Sequence, residues 1–258
     1  MKGHLLLIPS PLDFGTGGTG EAGGAAVPDI RQVLPMGALE AAAGLRHWVV
    51  ENARTARAVL KRVNAVVPLA VPLQQLQIAE LPRPPKGRAA QPAADLRPLL
   101  QPALQGHDIG LMSEAGMPAV ADPGAALVAA AHGLDIAVRP LPGPSALLLA
   151  LAASGLDGQR FAFNGYLPVD AAERAARIRE LEGLSRRAVQ AQLVIETPYR
   201  NEPLLAALLS TLQGSTRLSV SCGLTLAGGW TRSDTVARWR AQPRTLPADV
   251  PAVFVFQA

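Results

Sequence analysis

Ser113-Glu114-Ala115-Gly116-Met117-Pro118-Ala119-Val120-Ala121-Asp122-Pro123-Gly124 is the stretch on which the fold turns. Before it, residues 108–112 read as a short buried strand. After it, residues 125–132 read as a helix with Gly133 at its carboxyl end. A strand that passes through such a loop into a helix belongs to a strand–helix–strand unit, and these units build parallel sheets. In open α/β sheets, ligands bind at the carboxyl ends of strands. Small residues let a ligand approach the backbone, and the prolines fix the loop's shape. The stretch therefore reads as a ligand-binding loop.

Outward from this loop, the alternation continues in both directions. Residues 5–9 read as a strand, 38–44 as a helix and 47–51 as a strand. Residues 52–63 read as a helix that Asn52 can cap. Residues 66–92 are dense in proline and give no clear pattern. A helix over 94–104 is interrupted by Pro98 and Pro102, and residues 135–139 read as a strand. In the second half, strands are predicted at 160–164, 192–196, 217–221 and 252–256. Helices are predicted at 145–154, 171–187, 198–212 and 234–239. The expected class is α/β, two α/β/α domains with mostly parallel sheets. Pro140-Leu141-Pro142-Gly143-Pro144 marks the expected boundary. The expected domains are 1–140, carrying a glycine-rich loop at 15–24, and 141–258. Neither half repeats the other.

Of the 258 residues, 49% are hydrophobic and 17% charged, which excludes a disordered chain. Aromatics make up 4%, so Ala, Leu and Val must form most of the core. The net charge of +4 is carried by arginine, with lysine only at Lys2, Lys61 and Lys86. Arginine suits phosphate, so a nucleic-acid substrate is allowed, though a solvated surface would also account for the charge. A single cysteine, Cys222, excludes an internal disulfide. His4, His47, His107 and His132 stand singly, so no metal site is expected. The run Leu5-Leu6-Leu7-Ile8 is too short for a signal peptide, and no stretch approaches the ~20 apolar residues of a membrane span. The expected compartment is the cytoplasm, without a membrane partner.

Two further motifs carry chemistry. Gly15-Thr16-Gly17-Gly18-Thr19-Gly20 fits G-x-G-x-x-G after a first strand, the pattern of a dinucleotide fold. The third glycine opens no helix, however: residues 21–28 are rich in Gly and Ala and end in proline. The loop reads more naturally as a surface insertion. Pro140-Leu141-Pro142-Gly143-Pro144-Ser145-Ala146 ends one strand and opens a helix that Ser145 can cap. It reads as a hinge, as a ligand-facing helix start, or as both.

The loop at 113–124 and the segment at 140–146 together resemble the tetrapyrrole methylase superfamily. The nearest likeness is to its branch of bacterial small-subunit ribosomal RNA 2′-O-methyltransferases, where the two segments read like S-D-A-G-T-P-L-I-S-D-P-G and P-L-P-G-P-S-A. Further landmarks agree in order. They are Leu7-Ile8-Pro9-Ser10-Pro11, Glu51-Asn52-Ala53-Arg54, Phe161-Ala162-Phe163-Asn164-Gly165-Tyr166-Leu167-Pro168 and Ile195-Glu196-Thr197-Pro198-Tyr199-Arg200. The resemblance implies S-adenosylmethionine in a cleft between two α/β/α domains, and a homodimer. By matching positions, it implies cofactor contacts at Pro11, Ala115, Gly116, Met117, Val120, Ser145, Ala146 and Thr197. It also implies RNA, as ribosomal RNA or the ribosomal subunit, for a substrate.

The departures bear on the substrate more than on the cofactor. Glu114 and Met117 replace the family's aspartate and threonine, and Glu51-Asn52-Ala53-Arg54 has one acid fewer than E-D-T-R. Ser221-Cys222-Gly223-Leu224-Thr225-Leu226 stands where the RNA enzymes carry A-R-E-L-T-K. Methyl transfer needs alignment and exclusion of water, and a hydroxyl acceptor is helped by a base. Glu114, Asp122 and Glu196 are the acids available; none is assigned a catalytic role from sequence. Arg54, Arg57 and Lys61 on one helix face, and Arg174, Arg177, Arg186 and Arg187 on another segment, could meet phosphates. A small-molecule methylase, a non-catalytic cofactor- or RNA-binding relative and, more distantly, a nicotinamide oxidoreductase remain as alternatives.

Overall fold

The structure, a computed structural model, describes residues 1–13, 28–82 and 95–258. The glycine-rich loop expected at 15–24 lies outside the described residues. The chain divides into two compact units, Met1–Pro144 and Ser145–Ala258.

In the first unit, the described residues form a sheet of five strands, β1 (His4–Leu7), β2 (His47–Val50), β3 (Gln77–Glu80), β4 (Ile109–Met112) and β5 (Ala137–Pro140). Their spatial order is β3-β2-β4-β1-β5, and every pairing is parallel. The helices are α1 (Met36–Gly44), α2 (Ala53–Asn64), a single turn α3 (Gln101–Leu104) and α4 (Gly124–Gly133). Side chains on successive strand residues point to opposite faces. Trp48, Val50 and Met112 therefore pack with α1 and α2 on one face. Leu5, Leu7, Val49, Ile109 and Leu111 pack with α4 on the other. Gly110 is required by this packing, because a Cβ there would lie 2.6 Å from the Trp48 ring.

The strand order fixes where a ligand can enter. From β1 the chain runs past the position of β4 to reach β2, while from β4 it runs past β1 to reach β5. Adjacent strands thus send their connections in opposite directions and to helices on opposite faces. Such a switch point leaves a crevice at the strands' carboxyl ends.

In the second unit the strands are β6 (Phe161–Tyr166), β7 (Ala191–Ile195), β8 (Arg217–Cys222), β9 (Trp230–Thr235) and β10 (Ala252–Gln257). The order is β6-β7-β10-β8-β9. Here the expectation of a mostly parallel sheet needs correction. Only β6 and β7 pair in parallel, and the pairings β7–β10, β10–β8 and β8–β9 are antiparallel. The reason is a hairpin: β8 turns back through residues 223–229 into β9, a strand whose sequence Trp-Thr-Arg-Ser-Asp-Thr shows no apolar alternation. Helix α5 (Ala146–Ser154) covers part of one sheet face, over Leu193, Val253 and Val255. Helices α6 (Ala171–Ala188), α7 (Asn201–Thr211) and α8 (Val236–Ala241) cover the other, over Val194, Val220, Phe254 and Phe256. Among the described residues no helix is long and apolar enough to cross a membrane.

Candidate functional site

The loops that leave β1 and β4 are locked together. Ser10 and Gly116 form an isolated antiparallel bridge, with N–H···O distances of 2.9 and 3.0 Å. The buried Ser10 hydroxyl donates to the Ser113 carbonyl at 2.9 Å. The segment after β5 closes on the same place: Leu141 N donates to Leu7 O at 3.1 Å, and a Cβ on Gly143 would strike Pro9 at 2.3 Å. Pro11, Ala115, Gly116 and Met117 are thereby brought together, with Pro11 and Gly116 buried and Ala115 and Met117 half-buried. Val120, further along the loop, is 46% exposed.

The loop's backbone is strained. Gly116 has φ +75°, Ala119 +65° and Ala121 +62°. Glycine adopts this left-handed region freely, but each alanine costs about 1 kcal/mol or more there. Asp122 holds the shape: its carboxylate accepts from Ala119 N at 2.9 Å and from Gly124 N at 2.7 Å. Burial raises the Asp122 carboxyl above its ordinary value, and hydrogen bonds from the Gly124 and Ala119 amides and the Ser113 hydroxyl oppose that rise. At Gly116 the structure forms a cradle. A Cβ would lie 3.3 Å from Leu12 Cδ2 and 3.5 Å from Pro144 O.

The three acids expected near the site differ in what they hold. Asp122 is occupied by the loop's own amides. Glu196, buried after β7, pairs with Arg200 at 2.6 Å and accepts from Thr197 N at 2.7 Å. Glu114 is half-buried; its carboxylate accepts from the Thr55 hydroxyl at 3.1 Å, and its N–H donates to Glu51 Oε2 at 3.1 Å. Glu51 follows β2, so the ends of β2 and β4 are tied through side chains. Sequence reasoning did not find this tie, nor the Arg62–Asp13 pair at 2.8 Å, in which the Asp13 side chain is 4% exposed. The E-N-A-R stretch was the one signal for the former.

The remaining predicted contacts belong to the second unit. Ser145 is buried and stands at the amino cap of α5, where its carbonyl accepts from Leu149 N at 2.9 Å. Its hydroxyl makes no capping hydrogen bond, contrary to expectation. Ala146 opens α5, and Thr197 precedes the short 3-10 turn Pro198–Arg200. Ser221 and Cys222 end β8. Cys222 is buried, and that burial pushes its thiol pKa up, which disfavours the thiolate.

A separate groove of about 400 Å³ lies at the amino end of the first sheet, lined by Glu40, Arg46, His47, His107 and Asp108 among others. The two imidazoles stand 5.2 Å apart. Burial lowers the His47 pKa, with help from His107 and Arg46. This groove is at the wrong end of the strands for the loops described above. Among the described residues no group of three His, Cys, Asp or Glu could hold a metal.

The sequence model for Tetrapyrrole (Corrin/Porphyrin) Methylases matches residues 42–238. The chain belongs to this family. A "Ribosomal RNA small subunit methyltransferase I" of Mesorhizobium japonicum is 42% identical over 135 residues, which is 52% of this chain and 44% of that protein. A protein of the same name from Xylella fastidiosa is 39% identical over 117 residues, 45% of this chain and 41% of that one. These matches span less than half the length of the curated relatives. Among solved structures, uroporphyrin-III-C-methyltransferase from Thermus thermophilus superposes with a TM-score of 0.53 at 18% identity. The match covers 99% of this chain and 94% of that one, a likeness of fold. The tetrapyrrole methylase fold therefore extends over both units, including the mixed second sheet.

Proposed function

We propose that the chain is an S-adenosylmethionine-dependent methyltransferase acting on RNA, at a ribose 2′-hydroxyl of small-subunit ribosomal RNA. The observation that carries this reading is the Gly116 cradle at the β1/β4 switch point, held by a strained loop in a tetrapyrrole methylase chain. A protein stores strain of this sort where backbone must approach a ligand. The loop residues Pro11, Ala115, Gly116, Met117 and Val120 would hold the cofactor, and the family resemblance adds Ser145, Ala146 and Thr197. S-adenosylmethionine supplies, when bound, an electrophilic methyl group. The chain's share is positioning and proton removal. Gly116 admits the ligand to the backbone. Asp122 keeps the loop in its strained form. Glu114, the one of the three acids whose carboxylate is not occupied by a backbone amide or an arginine, takes the proton of the acceptor hydroxyl.

The RNA substrate is supported by the relatives' names and by α2. Arg54, Arg57 and Lys61 lie exposed on that helix, opposite its buried Ala56, Val59, Leu60 and Val63, and none of the three has an ion pair among the described residues. Such a row positions phosphates without reading sequence. The proposal includes a cytoplasmic homodimer. A small-molecule acceptor is the second reading. It is favoured by the end of β8, where Ser221-Cys222-Gly223-Leu224-Thr225-Leu226 offers no charged side chain.

The test is transfer of tritiated methyl from S-adenosylmethionine to small ribosomal subunits, followed by nuclease digestion and mass spectrometry of the nucleosides. A 2′-O-methylated nucleoside is expected. Label found only in a small-molecule extract would move the acceptor to the second reading, and none in either would overturn the activity.

A further inference from the structure

Among the described residues, the Glu114 carboxylate accepts one hydrogen bond, and its donor is distant in sequence. The Thr55 hydroxyl, 59 residues away, donates to Glu114 Oε1 at 3.1 Å. Thr55 is the third residue of α2. A helical threonine commonly turns its hydroxyl back to a carbonyl three or four residues earlier. Thr55 sends its hydroxyl out of the helix instead, to the acid that leaves β4.

Both ends of this bond are anchored. The Asn52 side chain caps α2, accepting from Arg54 N at 2.9 Å and from Thr55 N at 3.4 Å. Glu80, the last residue of β3, accepts from Ala53 N at 2.6 Å. Ala56, next to Thr55, is buried in the core beneath α2. A β-branched side chain on a fixed helical turn has few rotamers, so the Thr55 hydroxyl has a set position. Across from it, the Glu114 main chain is held by its N–H donating to Glu51 Oε2 at 3.1 Å.

The bond is not needed to join the strands. β2 and β4 already pair from His47–Ile109 to Val50–Met112, and Glu51 N extends the ladder by donating to Met112 O at 3.1 Å. What the hydroxyl fixes is the one part of Glu114 that the ladder leaves free, its carboxylate. At 3.1 Å the bond is longer than the ~2.7–2.8 Å usual for O–H···O. One such donor orients a carboxylate and leaves its other lone pairs open to a proton. Glu196 shows the opposite arrangement, taken up by Arg200 and by the Thr197 amide. Orientation matters to a base, because misplacing a reacting group by 1 Å can cost about 100-fold in rate.

We propose that Thr55 is a positioning residue for methyl transfer, its hydroxyl orienting the Glu114 carboxylate toward the acceptor hydroxyl. It stands beside Arg54, so one fixed helical turn carries both the base's anchor and the start of the phosphate row. This rests on the reading above in which Glu114 is the base. The experiment measures methyl transfer against small-ribosomal-subunit concentration for the unmodified chain, Thr55→Val, Thr55→Ser, Glu114→Gln and the combined Thr55→Val, Glu114→Gln variant. Calorimetry with S-adenosylmethionine and thermal unfolding run in parallel. Thr55→Val should lower kcat about tenfold, with the KM for subunits and the cofactor affinity unchanged. Thr55→Ser keeps the hydroxyl and should restore most of that loss. The combined variant should be no slower than Glu114→Gln alone, because Thr55 acts through Glu114. Thr55→Ala, which favours helix, gives the same readout if the valine variant does not fold. An unchanged kcat in a folded variant without the hydroxyl, a serine variant as slow as the valine one, or a combined variant tenfold slower than Glu114→Gln overturns the positioning role and leaves Glu114 as the base. Full kcat in Glu114→Gln overturns the base reading and the role of Thr55 with it. No transfer by the unmodified chain overturns both.

Discussion

The two sheets have five described strands each, yet they use their strand ends differently. In the first unit all five strands run the same way, so every strand's carboxyl end opens on one side. Loops 103 residues apart in sequence, at Ser10 and Ser113, can then meet there, and they do. In the second unit β10 runs against both β7 and β8, so carboxyl and amino ends are mixed on each side of the sheet. The acid that leaves β7, Glu196, is taken up by Arg200 of the next turn. The acid that leaves β4, Glu114, is left half-buried with a single hydroxyl donor to its carboxylate. Parallel order gathers the loops on one side, whereas mixed order spends strand ends on local structure.

That contrast can be broken most severely at Gly110. Gly110→Val drives side-chain atoms into the Trp48 ring and is expected to lower stability by about 3 kcal/mol or more in urea unfolding. Near-native stability would mean that the first sheet is looser than its packing shows. Next come the two strand-end acids. Glu114→Gln should lower kcat for methyl transfer about 100-fold with cofactor affinity unchanged, while Glu196→Gln should leave kcat alone and cost about 1.5 kcal/mol of stability. Exchanged outcomes would reverse the assignment of catalytic and structural acid.

Asp122→Ala removes the acceptor for two loop amides and is expected to cost about 1.5 kcal/mol; Asp122→Asn keeps an acceptor oxygen and should cost less. Because burial raises the Asp122 pKa, its ionisation is less favourable folded than unfolded. Its contribution to stability is full below the ordinary 3.8 and is lost as pH rises through the raised value. Asp122→Asn should flatten that part of the pH–stability curve. The smallest effect is expected at His47, whose pKa is lowered by burial, then by His107 and Arg46. Its contribution is present above the ordinary 6.5 and is lost as pH falls through the lowered value, so His47→Gln should reduce the loss of stability on mild acidification. An unchanged acid slope would show that the imidazole is as well solvated folded as unfolded.

Sequence pattern reached the first unit further than the second, for physical reasons. β1, β2 and β4 carry apolar residues for a buried sheet, so they could be read. β3 is an edge strand with both ends exposed, Gln77 and Glu80, and no apolar run announces it. β9 was missed for the same reason, and its last residue, Thr235, caps α8. That is why Asp234 read as a helix start. Strand–helix alternation cannot report strand direction once a hairpin intervenes. At the site, Gly116 and Asp122 were legible because loop geometry demands their residue types. The Ser10–Gly116 bridge and the Arg62–Asp13 pair were not, since they depend on which distant loops the topology brings together.

We propose that the β1/β4 strand-end loops hold S-adenosylmethionine. The most direct measurement is calorimetry of S-adenosylmethionine and S-adenosylhomocysteine, with NAD for comparison, on the chain and on its Gly116→Trp variant. The prediction is binding of both compounds to the chain, no binding of NAD, and loss of both from Gly116→Trp with its thermal unfolding still cooperative. Binding that persists in a folded Gly116→Trp variant, or a preference for NAD, would contradict it.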